Sequence, residues 1–207
     1  MTSEGQELLR AEGLACDRGG QRVLSLRRLT LSRGAGLWLR GRNGSGKTTL
    51  LRALAGLLEP AAGEVWRDGA EGLLYVGHTL AVKDDLSVAE NLECLAELSA
   101  LETRPRALQG ALVRWQLWER RHHPARRLSQ GLRRRVSLAR LDLAAARPLW
   151  LLDEPFDALD DEGQALLAQA LTRHRLRQGG WVLSSHQGLP AQLDGVQALW
   201  LDGGAAA

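Results

Sequence analysis

The octapeptide Gly41-Arg42-Asn43-Gly44-Ser45-Gly46-Lys47-Thr48 carries the strongest signal in this chain. It fits G-x-x-x-x-G-K-(S/T) at every fixed position. It also stands between an apolar strand-like run, Leu37–Arg40, and a segment of helical period that includes Thr49, Leu50, Ala53, Leu54 and Leu57. Glycines let consecutive backbone N–H groups turn inward around a polyphosphate, and a helix start adds partial positive charge. Lys47 is placed to reach terminal phosphates, and the Thr48 hydroxyl to ligate Mg²⁺. The chain has only two lysines, Lys47 and Lys83, and one stands where this chemistry needs it.

A second signal lies downstream. Leu149-Trp150-Leu151-Leu152 is apolar at every position, as a central strand buried on both faces requires. Asp153 follows it, at the carboxyl edge of a sheet, where it can hold Mg²⁺ through water. Glu154 is next, where a carboxylate could take a proton from an attacking water. Trp181-Val182-Leu183 reads as another buried strand, and His186 follows it within reach of a terminal phosphate.

The remaining pattern gives the architecture. Residues 7–40 read as short strands, with apolar alternation at Leu24 and Leu26, then at Leu29 and Leu31 after a register break. Further strands are expected at Glu64–Trp66, Leu73–Val76 and Val196–Leu201. Ser87-x-x-Glu90 is a capping box that opens a helix, Gly131 opens another running to Ala145, and Asp161-x-x-Gln164 caps a third that Gly179 stops. Strands first, then strand–helix alternation, predict an α/β fold: a mostly parallel core sheet, an N-terminal antiparallel β lobe, and a helical lobe at about residues 84–147 inserted in one domain spanning 1–207. The Gly-Gly-Ala-Ala-Ala tail is expected to fray.

Composition excludes several classes. The 207 residues are 25% charged, which argues against global disorder. No run reaches the ~18 apolar residues of a membrane span. The polar start shows no secretory signal. Cys16 and Cys94 cannot build a disulfide framework and read as buried, reduced thiols. The net charge of +3 conceals a block from Arg104 to Arg147 with twelve Arg against two acids, read as a solvated or docking face. Trp115 and Trp118 read as one helix face within it. Adjacent His122 and His123 read as a solvated pair.

The motifs in order resemble an ABC-type ATPase cassette: Gly41–Thr48, Leu128-Ser129-Gln130-Gly131-Leu132, Leu151-Leu152-Asp153-Glu154-Pro155, Ala158-Leu159-Asp160 and His186. The resemblance implies ATP and Mg²⁺ as cofactors. It implies nucleotide contacts from Gly41, Arg42, Asn43, Gly44, Ser45, Gly46, Lys47, Thr48 and Thr49, and catalysis by Glu154 and His186 with Lys47. Ser129, Gln130 and Gly131 would contact ATP bound by a second copy in a head-to-tail homodimer, with Asp160 coupling the two sites. Three departures stand out. Gln130 and Leu132 replace a glycine and a glutamine of the usual signature. Arg18 stands about where the adenine-stacking aromatic is expected, and a guanidinium can stack on a base. His78 takes the place of the lid glutamine, where the resemblance also gives it a catalytic place.

Val76-Gly77-His78, with Lys83-Asp84-Asp85-Leu86-Ser87-Val88-Ala89-Glu90-Asn91-Leu92, resembles one subfamily more closely: the ATP-binding subunits of bacterial haem exporters in cytochrome c maturation. This implies membrane-spanning partner subunits, an indirect periplasmic haem chaperone partner, no nucleic acid, and a peripheral place on the cytoplasmic face of the bacterial inner membrane. The alternatives are a cassette acting on nucleic acid or translation, or one in soluble iron–sulfur assembly. Lys47 and Ser129 lie 82 positions apart, too close for the long coiled coils of chromosome and repair cassettes.

Overall fold

The N-terminal strands form one long hairpin rather than the short strands expected. In the computed structural model, which describes residues 7–68, 72–193 and 195–201, β1 (Glu7–Arg18) pairs antiparallel with β2 (Gln21–Ser32). The buried face of β2 changes between Leu26 and Leu29, while its pairing with β1 keeps one register from Leu9 to Cys16. Gly13 adopts φ +56°, and the ladder between β1 and β4 (Ala62–Arg67) shifts between Glu12 and Ala15. Leu24 and Leu26 on one side of the change in β2, and Leu29 and Leu31 on the other, all reach the core. The resulting sheet has order β2-β1-β4.

The second sheet is wholly parallel. Its strands are β3 (Gly36–Arg40), β5 (Leu73–Val76), β6 (Leu149–Leu152), β7 (Gly180–Ser184) and β8 (Gln197–Trp200), in the order β5-β6-β7-β3-β8. β6 and β7 are buried at every position, as the apolar runs Leu149–Leu152 and Trp181–Leu183 predict. Parallel strands bring all their carboxyl ends to one edge, and the loops after β3, β5, β6 and β7 converge there.

Among the described residues, six α-helices complete the fold. α1 (Lys47–Leu54) lies between the sheets, where Leu50, Leu51 and Leu54 join Leu39, Leu151 and Val182 in one apolar cluster. α2 (Val88–Leu98), α3 (Pro105–Arg114), α4 (Gln130–Leu138) and α5 (Arg140–Leu143) form the inserted lobe. With α6 (Asp161–Leu176), they share a second cluster with Leu152 and Leu183. The capping box of α2 is complete: Glu90 N donates to Ser87 Oγ at 3.2 Å and Ser87 N to Glu90 Oε2 at 2.7 Å.

Several expectations need correction. Leu57 falls beyond the end of α1 and is exposed, because Gly56 at φ +73° has already turned the chain. The helix expected from Gly131 starts at Gln130, with Ser129 as its cap, and divides at Ala139. Trp115 and Trp118 do not share a helix face. Trp115 caps the C-terminus of α3, buried, with its indole N–H on Asp142 Oδ2 at 2.8 Å, while Trp118 opens a separate short turn. The cap of α6 is Asp160, not Asp161: Gly163 N donates to Asp160 Oδ1 at 2.9 Å. The Arg104–Arg147 block is not simply a solvated face, since Arg134, Arg135 and Arg140 are buried. Cys94 is only half-buried. The Gly203–Ala207 tail lies outside the described residues.

His174, on α6, is a buried histidine with a structural task. Its ring stacks on Trp150 of β6 at 3.7 Å, and Nε2 donates to Pro148 O at 3.2 Å. A Cβ at Gly179 would lie 2.3 Å from that ring, so glycine is required there, although α6 already ends at Leu176 and the left-handed residue that turns the chain is Gln178 at φ +63°. Burial pushes its pKa down to about 4. The unfolded chain takes up a proton at this residue below about pH 6.5, whereas the folded chain resists until about pH 4. Protonation therefore favours unfolding as pH falls through that window. The expected loss is about 3 kcal/mol between pH 7 and pH 4. Urea melts across that range should show a His174→Phe variant, which keeps a stacked ring, with a shallower pH slope. Equal slopes would refute the assignment.

Candidate functional site

The loop between β3 and α1 is shaped by steric limits. Gly41 has φ +144°, and a Cβ there would lie 2.5 Å from both Leu201 O and Ser45 Oγ. Gly46 has φ +93°, and its Cβ would approach Val23 O at 2.9 Å. Side chains at these positions would open the loop, so the backbone curls as glycine alone permits. Gly46 caps α1 with no side-chain hydrogen bond, and no acid stands in the first turn, so the positive end of the helix is uncompensated. Ser45 Oγ is buried and has no hydrogen-bond partner among the described residues. A cavity of about 500 Å³ opens beside the loop, lined by Gly41–Ser45, Trp200 and Leu201. The Arg40 guanidinium sits 4.2 Å from both the Trp38 and Trp200 rings and ties the end of β3 to β8.

Lys47 is 7% exposed. Its Nζ donates to Gly41 O at 2.9 Å and Arg42 O at 3.2 Å, and lies 4.0 Å from Glu154 Oε1. Thr48 Oγ1 donates to Asp153, 2.9 and 3.1 Å from the two carboxylate oxygens, across 105 residues of sequence. Thr49 lies half-buried behind it on α1.

Asp153, at the end of β6, is 1% exposed. Ser184 at the end of β7 braces it: Ser184 Oγ donates to Asp153 Oδ1 at 2.7 Å and accepts Glu154 N–H at 2.8 Å. Glu154 has φ +48°, in the left-handed region that non-glycine residues rarely enter. Its Oε2 accepts from His186 N and from His186 Nδ1, both at 3.1 Å. Asp157 Oδ1 lies 3.6 Å from the same Nδ1. With Nδ1–H directed at carboxylates, Nε2 remains for another partner.

The structure thus brings Lys47, Thr48, Asp153, Glu154 and His186 together. Other sequence-predicted residues lie elsewhere. Arg18 is exposed at the end of β1. His78 is exposed after β5. Ser129 caps α4 through Leu132 N at 3.2 Å, and a Cβ at Gly131 would lie 2.8 Å from Ala158 O. Among the described residues, no hydrogen bond or ion pair joins Ser129, Gln130 or Gly131 to the loop at Gly41–Thr48. Asp160 pairs with Arg135 at 2.6 Å, and that hydrogen bond holds its carboxyl below the usual range. Sequence reasoning missed Ser184, Asp157 and Arg134. Ser184 was within the stretch leading to His186, and a hydroxyl closing a buried strand was the available signal.

A parallel sheet whose phosphate loop, paired acids and histidine meet at one edge, with a β lobe and an inserted helical lobe, defines an ATP-binding cassette. Residues 24–157 match the ABC transporter family. The chain belongs to that family and, within it, to the cytochrome c biogenesis ATP-binding export proteins. It is 45% identical over 204 residues to the protein of that name from Paramagnetospirillum magneticum, covering 93% of each chain. It is 43% identical over 208 residues to the one from Cupriavidus pinatubonensis, covering 93% of this chain and 91% of the relative. A solved ATP-binding subunit of an ABC transporter superposes with TM-score 0.75 at 27% identity, covering 86% of this chain and 79% of the other. No helix among the described residues is long and apolar enough to cross a membrane.

Proposed function

We propose that this chain is the ATP-hydrolysing subunit of a membrane ABC complex for haem export in cytochrome c biogenesis, docked from the cytoplasmic face on membrane-spanning subunits. The observation that carries the reading is the meeting of Lys47, Thr48, Asp153, Glu154 and His186 at the carboxyl edge of β3, β6 and β7. It gains support from relatives that bear the cytochrome c biogenesis name over nearly their whole length.

The donor set fits a magnesium nucleotide. Thr48 Oγ1 and the Asp153 carboxylate, 2.9 Å apart, are hard oxygen donors that would hold Mg²⁺ between them, Asp153 through water. Bound ATP supplies the phosphoanhydride to be cleaved, and Mg²⁺ neutralises charge on its oxygens. Gly41–Thr48 holds the phosphates with backbone amides, and Lys47 turns from the carbonyls of Gly41 and Arg42 toward them. Thr48 and Asp153 hold the cation. Glu154 takes the proton of the attacking water, and His186 presents Nε2 to the terminal phosphate. Arg18 stacks beside the base, and His78 stands at the lid. Ser129, Gln130 and Gly131 complete the site of a second, head-to-tail copy, and Asp160 couples the two. Closure on nucleotide and opening after hydrolysis move the membrane partners through differential affinity. The product of that work is transfer of haem to a periplasmic chaperone. Burial of Arg134, Arg135 and Arg140 removes three charges from any nucleic-acid face.

The reading has a direct test. Cells depleted of this chain should lose covalently haem-stained c-type cytochromes, and the wild-type gene should restore them where a Glu154→Gln copy does not. Normal cytochrome c maturation in the depleted cells would overturn it.

A further inference from the structure

Three consecutive arginines on α4 have different fates. Arg133 pairs with Asp84 at 2.6 Å, and Arg135 pairs with Asp160 and Glu162 at 2.6 and 3.0 Å. Arg134 has no such side-chain partner among the described ion pairs and is 2% exposed. A guanidinium has five N–H donors and no acceptor, so burial demands fixed acceptors. They come from the main chain. Nε donates to Pro155 O at 3.3 Å, Nη1 to His78 O at 3.3 Å, and Nη2 to Asp153 O at 3.1 Å and to Glu154 O. Three of the four carbonyls belong to the turn that carries Glu154, and the fourth belongs to the loop after β5.

That turn needs holding. Glu154 is left-handed, a conformation that persists only where its surroundings impose it. Ser184 restrains its N–H from one side. On the carbonyl side Arg134 spans both peptide planes that flank Glu154. Among the described residues, no hydrogen bond or ion pair joins Arg134 to the phosphate loop; its bonds run to this turn and to His78 O.

We propose that Arg134 is a positioning residue for hydrolysis: its guanidinium fixes the carbonyls of Asp153, Glu154 and Pro155 and so aims the Glu154 carboxylate at the attacking water. The proposal rests on Glu154 being the general base. Arginine is required because its planar fork reaches four acceptors at once, whereas a lysine ammonium can satisfy only part of the set.

The test uses the assembled membrane complex, with ATP affinity, KM and kcat measured for R134Q, R134K and E154Q. R134Q should keep KM and nucleotide affinity near wild type while kcat falls by up to about 100-fold, the effect of roughly an ångström of misplacement. R134K should recover part of the loss. Wild-type kcat in R134Q, or a loss confined to KM, overturns the proposal. Should R134Q fail to fold, R134K carries the same comparison, and wild-type kcat there overturns it equally. Wild-type turnover in E154Q would instead sink the general-base reading. Inactive E154Q beside fully active Arg134 variants would sink the positioning role alone.

Discussion

Glu154→Gln should leave magnesium-ATP binding intact and lower phosphate release from the assembled complex by about 100- to 10,000-fold, the usual range for a positioned general base. The substitution keeps shape and loses basicity. Its amide oxygen can still accept from His186 N and His186 Nδ1, where the carboxylate now accepts at 3.1 Å. The left-handed turn is held through the backbone, by Ser184 and Arg134, so it does not depend on the side-chain charge. The loop from Gly41 to Thr48, which carries most of the groups assigned to phosphate binding, keeps its hydrogen bonds. Lys47 loses a carboxylate 4.0 Å away, which frees it for phosphate rather than hindering it. Binding and chemistry should therefore separate. Calorimetry reads the first and phosphate release the second. Wild-type turnover would remove Glu154 from the role of base.

Most of the fold and half of the site were legible because their signals are local. A phosphate loop announces itself through glycines that no other residue can replace, and Gly41 and Gly46 have no room for a Cβ. β6 and β7 were legible because both faces are buried and the sequence shows no polar alternation. The helix cap at Asp160 was misplaced by one residue because Asp160 and Asp161 are both acids, and only the backbone conformation of the first chooses between them. The N-terminal strands looked short because the buried face of β2 changes between Leu26 and Leu29 within one continuous hairpin. Arg134 was hidden for a different reason. Its acceptors are main-chain carbonyls on two loops that lie apart from α4 in sequence, and carbonyls carry no residue type to read. Within a run of arginines, nothing in composition marks the one that is buried.

Lys47→Ala should weaken magnesium-ATP binding by about 10- to 100-fold, the loss of one charge-assisted hydrogen bond, and reduce turnover by a further ~100-fold or more. Two functions end together. The loop loses the ammonium that draws Gly41 O and Arg42 O into one turn, at 2.9 and 3.2 Å. The phosphates lose a cation that lies 4.0 Å from the Glu154 carboxylate. Lys47→Arg should fail as well, because the pocket fits a compact ammonium between two carbonyls and a carboxylate, and a planar guanidinium is broader. The fold should survive both changes. α1 is held by Leu50, Leu51 and Leu54, all fully buried, and a lone buried ammonium contributes little to stability beyond the bonds it makes. Lys47→Ala therefore lowers affinity and turnover together, where Glu154→Gln lowers turnover alone. If Lys47→Ala bound magnesium-ATP with wild-type heat and affinity, the phosphates would have to lie outside the loop, and the roles given to Thr48 and Asp153 would fall with that of Lys47.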